Sequence, residues 1–373
     1  MREEFKVTPY EVKGSVDYDK LVREFGITPI SGALLERLRD LAGGELHFLL
    51  KRGVFFAQRD LGWLLDEYEK GNRFYVYTGI APSGHMTIGH MIPFMLTRWL
   101  QERFGAEVYI QIPDEEKALI RDKSFEEVHN LAYEDALDIA ALGFDPKKTK
   151  IFLDTEYAGT LYKYAVRIAK HITFSMIKDA FGFTNQNNVG SIFYTSMQAV
   201  PAMLKSAEEG KNVPCLIPLG VDQDVHFRIS RDVLPKLGYY KPAILHSKFL
   251  PGLSGTPKMS ASNPNDTIYL SDSKEAIRKK VMNAFTGQQA TAELQHKYGG
   301  NPDICSVCQY NKFLFEPDDA KLEAIFDGER NGTLLAGEHK EDLVKKVIRF
   351  VEEHNKNKEK VKDRLAEFIL KNK

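Results

Sequence analysis

RFYVYTGIAPSGHMTIGHMIPF, residues 73–94, passes from an apolar strand through a loop of small residues into an amphipathic helix. The strand runs to about Tyr77. Gly79, Ala81, Ser83 and Gly84 then leave the backbone open to a ligand. Thr87, Ile88, Gly89 and His90 open a helix that the pattern carries to residue 104. The free N–H groups and positive dipole end of a helix start favour phosphate. Gly89 lets a flat base or ribose lie against the backbone, and His90 can donate to a phosphate or its bridging oxygen.

The same texture repeats outward. AEVYIQI at 106–112, KIFLDT at 150–155, VPCLIPL at 213–219 and PAILHS at 242–247 are strand candidates separated by helical stretches. That alternation predicts an α/β fold: a Rossmann-like, doubly wound parallel sheet over residues 71–272. In such a sheet ligands bind beyond the carboxyl ends of the strands, at the topological switch point. Residues 1–70, with helical stretches at 32–41 and 60–68, read as an N-terminal extension packed on this catalytic domain. Residues 273–373 read as a separate all-helical domain, broken by Gly-Gly-Asn-Pro at 299–302 and Asn-Gly at 331–332. Its Lys-rich end, HNKNKEKVKDR at 354–364, has the mixed charge of a solvated helix face.

At 373 residues and 43% hydrophobic, the chain has material for one large core and a smaller one, which excludes a single small binding module. Lys+Arg at 51 against Asp+Glu at 52 leave no bulk signature of a nucleic-acid binder, so RNA contact must come from local patches. MREEFKVTPYEV has no apolar signal region and no run of 18 apolar residues occurs, so a cytoplasmic protein without membrane contact is expected. Three cysteines, Cys215, Cys305 and Cys308, are too few for a disulfide framework. Cys305 and Cys308 form a CxxC. Only the isolated His296 lies near in sequence and a zinc site needs two more ligands, so the pair is expected to be structural, with no bound metal.

A second constellation, SGTPKMSASNP at 254–264, follows the last strand candidate. Lys258 in a Gly- and Pro-rich loop, with Ser260 and Ser262 two and four residues on, can close over a triphosphate. There it neutralises charge that builds up as pyrophosphate leaves. Tyr77 and Gln111, each at a strand's carboxyl end, converge on one ligand if the strands are neighbours. An indole pocket calls for apolar walls with one or two acceptors for the ring N–H; a phenol pocket calls for a partner for O–H. Asp114, Glu115, Glu116 and Lys117 cluster at a helix start, where carboxylates cap the helix or hold an ammonium group.

HIGH-type and KMSKS-type signatures in one chain resemble those of class I aminoacyl-tRNA synthetases, here as Thr87–His90 and the KMSAS loop 258–262. With YTG, PSG, GHMIPF, IQIPDEEK, TSMQAVPA, CLIPLGVDQD and HSKFLPGLSG in order, nearly the whole chain is similar to the archaeal and eukaryotic tryptophanyl members. The resemblance implies activation of L-tryptophan by ATP, with magnesium travelling on the triphosphate, and transfer to tRNA(Trp) by a homodimer. It also implies an anticodon-reading helical domain. By the same resemblance Lys258, His90 and Ser262 are catalytic, and Thr87, Gly89, His90, Gly220, Asp222, Lys258, Met259 and Ser260 hold ATP. Tyr77 and Gln111 face the indole nitrogen beside Gly79, while Glu116, Gln198 and Gln223 hold the amino end of tryptophan. Two positions depart from the signatures: Thr87 stands for a leading histidine, with His85 as a substitute, and Ala261 stands for a second lysine. Other readings are a tyrosyl-tRNA synthetase, a small nucleotidyltransferase with a similar turn, and a non-catalytic RNA-binding paralogue.

Overall fold

Strand residues with period two serve two cores at once. In the computed structural model, which describes residues 6–8, 11–14, 16–261 and 263–372, Val76, Val108, Ile110, Ile151, Leu216 and Leu245 point into one hydrophobic cluster. Their alternates Tyr75, Tyr77, Tyr109, Phe152, Ile217 and Ile244 point into another on the opposite face. A sheet buried on both faces needs such near-continuous apolar strands.

Chain order gives a ribbon of β1 (Lys6–Thr8) and β2 (Glu11–Lys13), then β3 (Thr28–Pro29), β4 (Phe55–Arg59), β5 (Tyr75–Gly79), β6 (Val108–Ile112), β7 (Thr149–Leu153), β8 (Cys215–Gly220) and β9 (Ala243–Ser247). The large sheet runs β3-β4-β9-β8-β5-β6-β7. β9, β8, β5, β6 and β7 are parallel, and the order reverses between β5 and β8, which is the switch point. All five strands coincide with the sequence candidates to within two residues. The parallel sheet expected over residues 71–272 is present, and antiparallel strands extend its β9 edge: β4 pairs with β9 and β3 with β4. Residues 1–70 therefore supply two strands of the sheet as well as packing on it. Arg59 fixes this edge by a bidentate ion pair at 2.9 Å to buried Asp224, which His246 of β9 also contacts at 2.7 Å.

After β5 a single 3₁₀ turn, Ile88–His90, leads into the helix Met91–Phe104, which ends at Gly105 in the left-handed region (φ 61°). Beyond residue 273 the chain is helical, dominated by Ala336–Lys362. Its apolar residues Leu343, Val344, Val347 and Val351 belong to the same core cluster as Val76 and Ile110, so this region shares its core with one face of the sheet. The lysine-rich end is not only a solvated face: His354 and Lys358 reach Asp138 at 3.0 and 2.9 Å. The chain then returns to the edge of β7, where Ile151 N donates to Phe368 O and Ile151 O accepts from Leu370 N. Among the described residues no helix is long and apolar enough to cross a membrane.

Candidate active site

Parallel pairing sets Gly79 opposite Gln111 at the carboxyl ends of β5 and β6. A Cβ on Gly79 would lie 2.5 Å from the Gln111 carbonyl oxygen, so only glycine allows this approach. Below it, the Tyr77 hydroxyl donates to Gln111 Oε1 at 2.5 Å and accepts from Gln198 Nε2 at 2.9 Å. Gln111 Nε2 in turn donates to Asp154 at 2.7 Å, and Tyr194 donates to Gln198 Oε1. Gln111 and Tyr77 are fully buried, and burial pushes the Tyr77 phenol well above its usual range, so it stays a donor. The network fixes which way each carboxamide points, and a buried group so fixed can discriminate strongly between ligands.

Asp154 carries no motif in the sequence; it is the first residue past β7. Burial, with Glu115 alongside, holds its carboxyl far above the usual range. Burial likewise raises the Glu115 carboxyl, so the two neighbouring acids disfavour being charged together. Glu116, Gln198, Gln223 and Tyr77 line the pocket above, with Pro93, His226 and Phe227 among the walls. Phe227 stands edge-on to Tyr77 with ring centroids 5.7 Å apart, inside the favoured spacing of about 4.5–7 Å. Burial lowers His226 to about 4, which keeps it neutral.

An adjoining cleft shares Gly79, Pro93, Glu116, Gly220 and Gln223 with that pocket and continues along Thr87, Gly89, His90, Asp222, Phe249, Lys258 and Met259. Thr87 N donates to His90 Nδ1 at 3.2 Å, which leaves Nε2 to carry the ring proton. Burial, with Lys258 near, lowers His90 to about 4, so it is a neutral donor at pH 7. Gly89 faces Met259 Sδ, 3.5 Å from the position of an added Cβ. Lys258 Nζ rests on Asp222 at 2.6 Å and over the Phe249 ring at 5.0 Å. A Cβ on Gly220 would come within 2.8 Å of Asp222.

The two signature loops are bonded together. Ile88 N donates to Ile268 O at 3.1 Å and Leu270 N to Met86 O at 3.0 Å, so the segment after the KMSAS loop forms a short bridge with the turn. Asp266, missed in the sequence, gathers the loop from inside by accepting from Ser254 N and Thr256 Oγ1. Thr267 and Tyr269 hydroxyls donate to the carbonyls of Ser260 and Ala261.

The structure thus brings Tyr77, Gly79, Gln111, Glu116, Gln198 and Gln223 together in one compartment. Thr87, Gly89, His90, Gly220, Asp222, Lys258 and Met259 share the next. Ser260 is exposed, and Ser262 lies outside the described residues. His85 is also exposed and does not line the cleft, whereas Thr87 does. The CxxC does not lack two further ligands, as its sequence neighbourhood suggests: Glu329 and His339 fold onto Cys305 and Cys308, whereas His296 is not in the group.

The family model described as tRNA synthetases class I (W and Y) matches residues 69–352. The tryptophan–tRNA ligase of Sulfolobus acidocaldarius is 48% identical over 366 residues, 97% of this chain and 94% of that protein. That of Pyrobaculum calidifontis is 46% identical across 100% of both. Among solved structures, the tryptophanyl-tRNA synthetase of Plasmodium falciparum superposes with a TM-score of 0.89 at 37% identity, covering 95% of this chain and 97% of that one.

Proposed function

The chain belongs to the class I tRNA synthetases of the tryptophan and tyrosine group, and from that membership we infer how its residues divide the work of charging tRNA. The protein activates L-tryptophan with ATP and transfers it to the 3′ terminal adenosine of tRNA(Trp). The observation that carries the residue assignment is the adjacency of a buried carboxamide–phenol network and a cleft that holds the chain's signature lysine.

Tryptophan enters the first compartment with its indole N–H toward Tyr77 and Gln111 and its ammonium toward Glu116, Gln198 and Gln223. ATP lies along Thr87, Gly89, His90, Gly220 and Asp222. A carboxylate oxygen of tryptophan attacks the α-phosphorus in line, the bond to the bridging oxygen breaks, and pyrophosphate leaves with that electron pair. Lys258 leaves Asp222 for the β- and γ-phosphates as their charge grows, and His90 donates from Nε2. A ribose hydroxyl of the terminal adenosine then attacks the activated carbonyl and AMP departs. Catalysis comes from positioning and charge, with no covalent enzyme intermediate.

Asp222 and Glu116 are the carboxylates among the described lining residues of the nucleotide cleft, and Lys258 occupies Asp222. That donor set suits magnesium carried by the triphosphate better than a resident ion, and magnesium so carried neutralises phosphate charge. Tyr162, Val166, Phe174 and Val189 are exposed on three helices of the catalytic region, which supports a homodimer closing over them. The helical C-terminal region reads the anticodon by stacking and base-edge hydrogen bonds, and the protein works in the cytoplasm.

The test is aminoacylation of purified tRNA(Trp) and tRNA(Tyr) with each cognate amino acid. Charging of tRNA(Trp) with tryptophan alone is expected; charging of tRNA(Tyr) with tyrosine would overturn the pocket assignment.

A further inference from the structure

Cys305 caps and Cys308 occupies the short helix Ser306–Tyr310; Glu329 closes the helix Asp319–Arg330; His339 lies in the first turn of Ala336–Lys362. Three helices therefore point four potential ligands at one spot. Their ligating atoms all lie within 4.8 Å of one another. Cys308 Sγ is 3.2 Å and His339 Nδ1 3.1 Å from the same Glu329 oxygen, Oε2. Around a tetrahedral zinc, with Zn–S about 2.3 Å and Zn–N or Zn–O about 2.0–2.2 Å, neighbouring ligand atoms sit roughly 3–4 Å apart. Cys308 Sγ and His339 Nδ1 already stand at that spacing from Glu329 Oε2, and Cys305 completes a group no wider than 4.8 Å.

All four side chains are fully buried, at 0–1% exposure. A carboxylate taken out of water needs its oxygens satisfied, and the protein leaves Glu329 Oε1 without a hydrogen-bond partner. Two thiols are weak donors to offer it. Two sulfurs, an imidazole and a carboxylate are instead a borderline-soft set that a zinc-class cation satisfies at once.

We propose that Cys305, Cys308, Glu329 and His339 form a structural zinc site that clips the C-terminal helices together beneath the KMSAS loop. Binding releases the two thiol protons to solvent, leaving two thiolates and one carboxylate around the divalent ion. His339 offers Nδ1 to the ion, while its other ring nitrogen, Nε2, lies 3.4 Å from Asn311 Nδ2. The link to the loop is direct. Ser306, next to Cys305, donates through Oγ to Gly252 O at 3.0 Å, and its N–H donates to Phe285 O at 3.2 Å; Phe285 N in turn donates to Leu253 O at 2.7 Å. Holding the short helix thus holds the root of the loop that carries Lys258.

The experiment is elemental analysis of the full chain purified under reducing conditions, followed by anaerobic exchange of the ion for cobalt. About one zinc per chain is expected, and cobalt should give tetrahedral visible bands with a sulfur-to-metal charge-transfer band in the near ultraviolet. Cys308→Ser and His339→Ala should each lose the metal, whereas His296→Ala should keep it. Should those variants not fold, His339→Gln, which keeps the volume but removes the imidazole, is read by chelator competition and should give up its zinc at chelator concentrations that leave the unaltered protein loaded. Chelation of the unaltered protein should lower its melting temperature. A chain that carries no zinc and shows no cobalt charge-transfer band after reconstitution overturns the site, as does full zinc retention by both Cys308→Ser and His339→Ala.

Discussion

The two compartments of the cleft are built from opposite materials. The amino-acid side is made of strand ends and buried helix faces: Tyr77, Gln111, Gln198 and Asp154 bond one another, and of these Tyr77, Gln111 and Asp154 have almost no exposure. The nucleotide side is made of loops, and Lys258, 37% exposed at its side chain, rests on Asp222, a partner that the inferred mechanism has it leave. In the inferred division of work, specificity and chemistry thus sit on different supports. A rigid network rejects a wrong side chain because a mismatch strands a buried polar group. A lysine parked on a carboxylate can follow charge as it moves from the α-phosphate to the leaving pyrophosphate.

The largest effect should come from breaking the loop side. Lys258→Ala is expected to lower the rate of adenylate formation by roughly 10²–10³-fold, while tryptophan binding by calorimetry stays nearly unchanged. Equal losses in both would erase the distinction between compartments. Next comes Gln111→Ala, which leaves Tyr77 and Asp154 short of a partner and should cost about 1–3 kcal/mol of tryptophan discrimination. Specificity constants for tryptophan against tyrosine and phenylalanine read this, and an ATP KM that rises as much as the tryptophan KM would contradict it.

A smaller change tests the lysine's resting place. Asp222→Asn loosens the hold on Lys258 and also removes a contact to ATP of the inferred mechanism; loss of that contact is expected to raise the ATP KM about tenfold, a loss near 1.4 kcal/mol, with the tryptophan KM unmoved. The smallest effect concerns pH. His90 is lowered to about 4 by burial and Lys258, so its working neutral form is lost only as pH falls through that value. Pyrophosphate exchange should carry no inflection near pH 6.5 that His90→Gln abolishes; such an inflection would mean that His90 acts as a cation.

The five parallel strands could be read from sequence because each is buried on both faces, and a short, nearly continuous apolar run between turn residues fits such a strand. β4 could not, since GVFFAQR owes its place to pairing with β9, roughly 190 residues away in sequence. Residues that touch ligand in the inferred mechanism fell within motifs, so Lys258, His90, Tyr77 and Gln111 were visible. Those that position them were not. Asp154 supports Gln111 from beyond the end of a different strand, and Asp266 gathers the KMSAS loop from a segment with no signature of its own. The CxxC shows the same limit: Glu329 lies 21 residues beyond Cys308 and His339 10 beyond that, and only the packing of three helices unites them.

Pyrophosphate exchange into ATP, measured with each of the twenty amino acids in turn in the presence of magnesium, bears most directly on the central claim that one compartment selects tryptophan and the other activates it. Exchange with tryptophan alone is the predicted result. Exchange with tyrosine at a comparable rate would contradict the assignment of the Tyr77–Gln111–Gln198 network, and no exchange with any amino acid would contradict the activation chemistry itself.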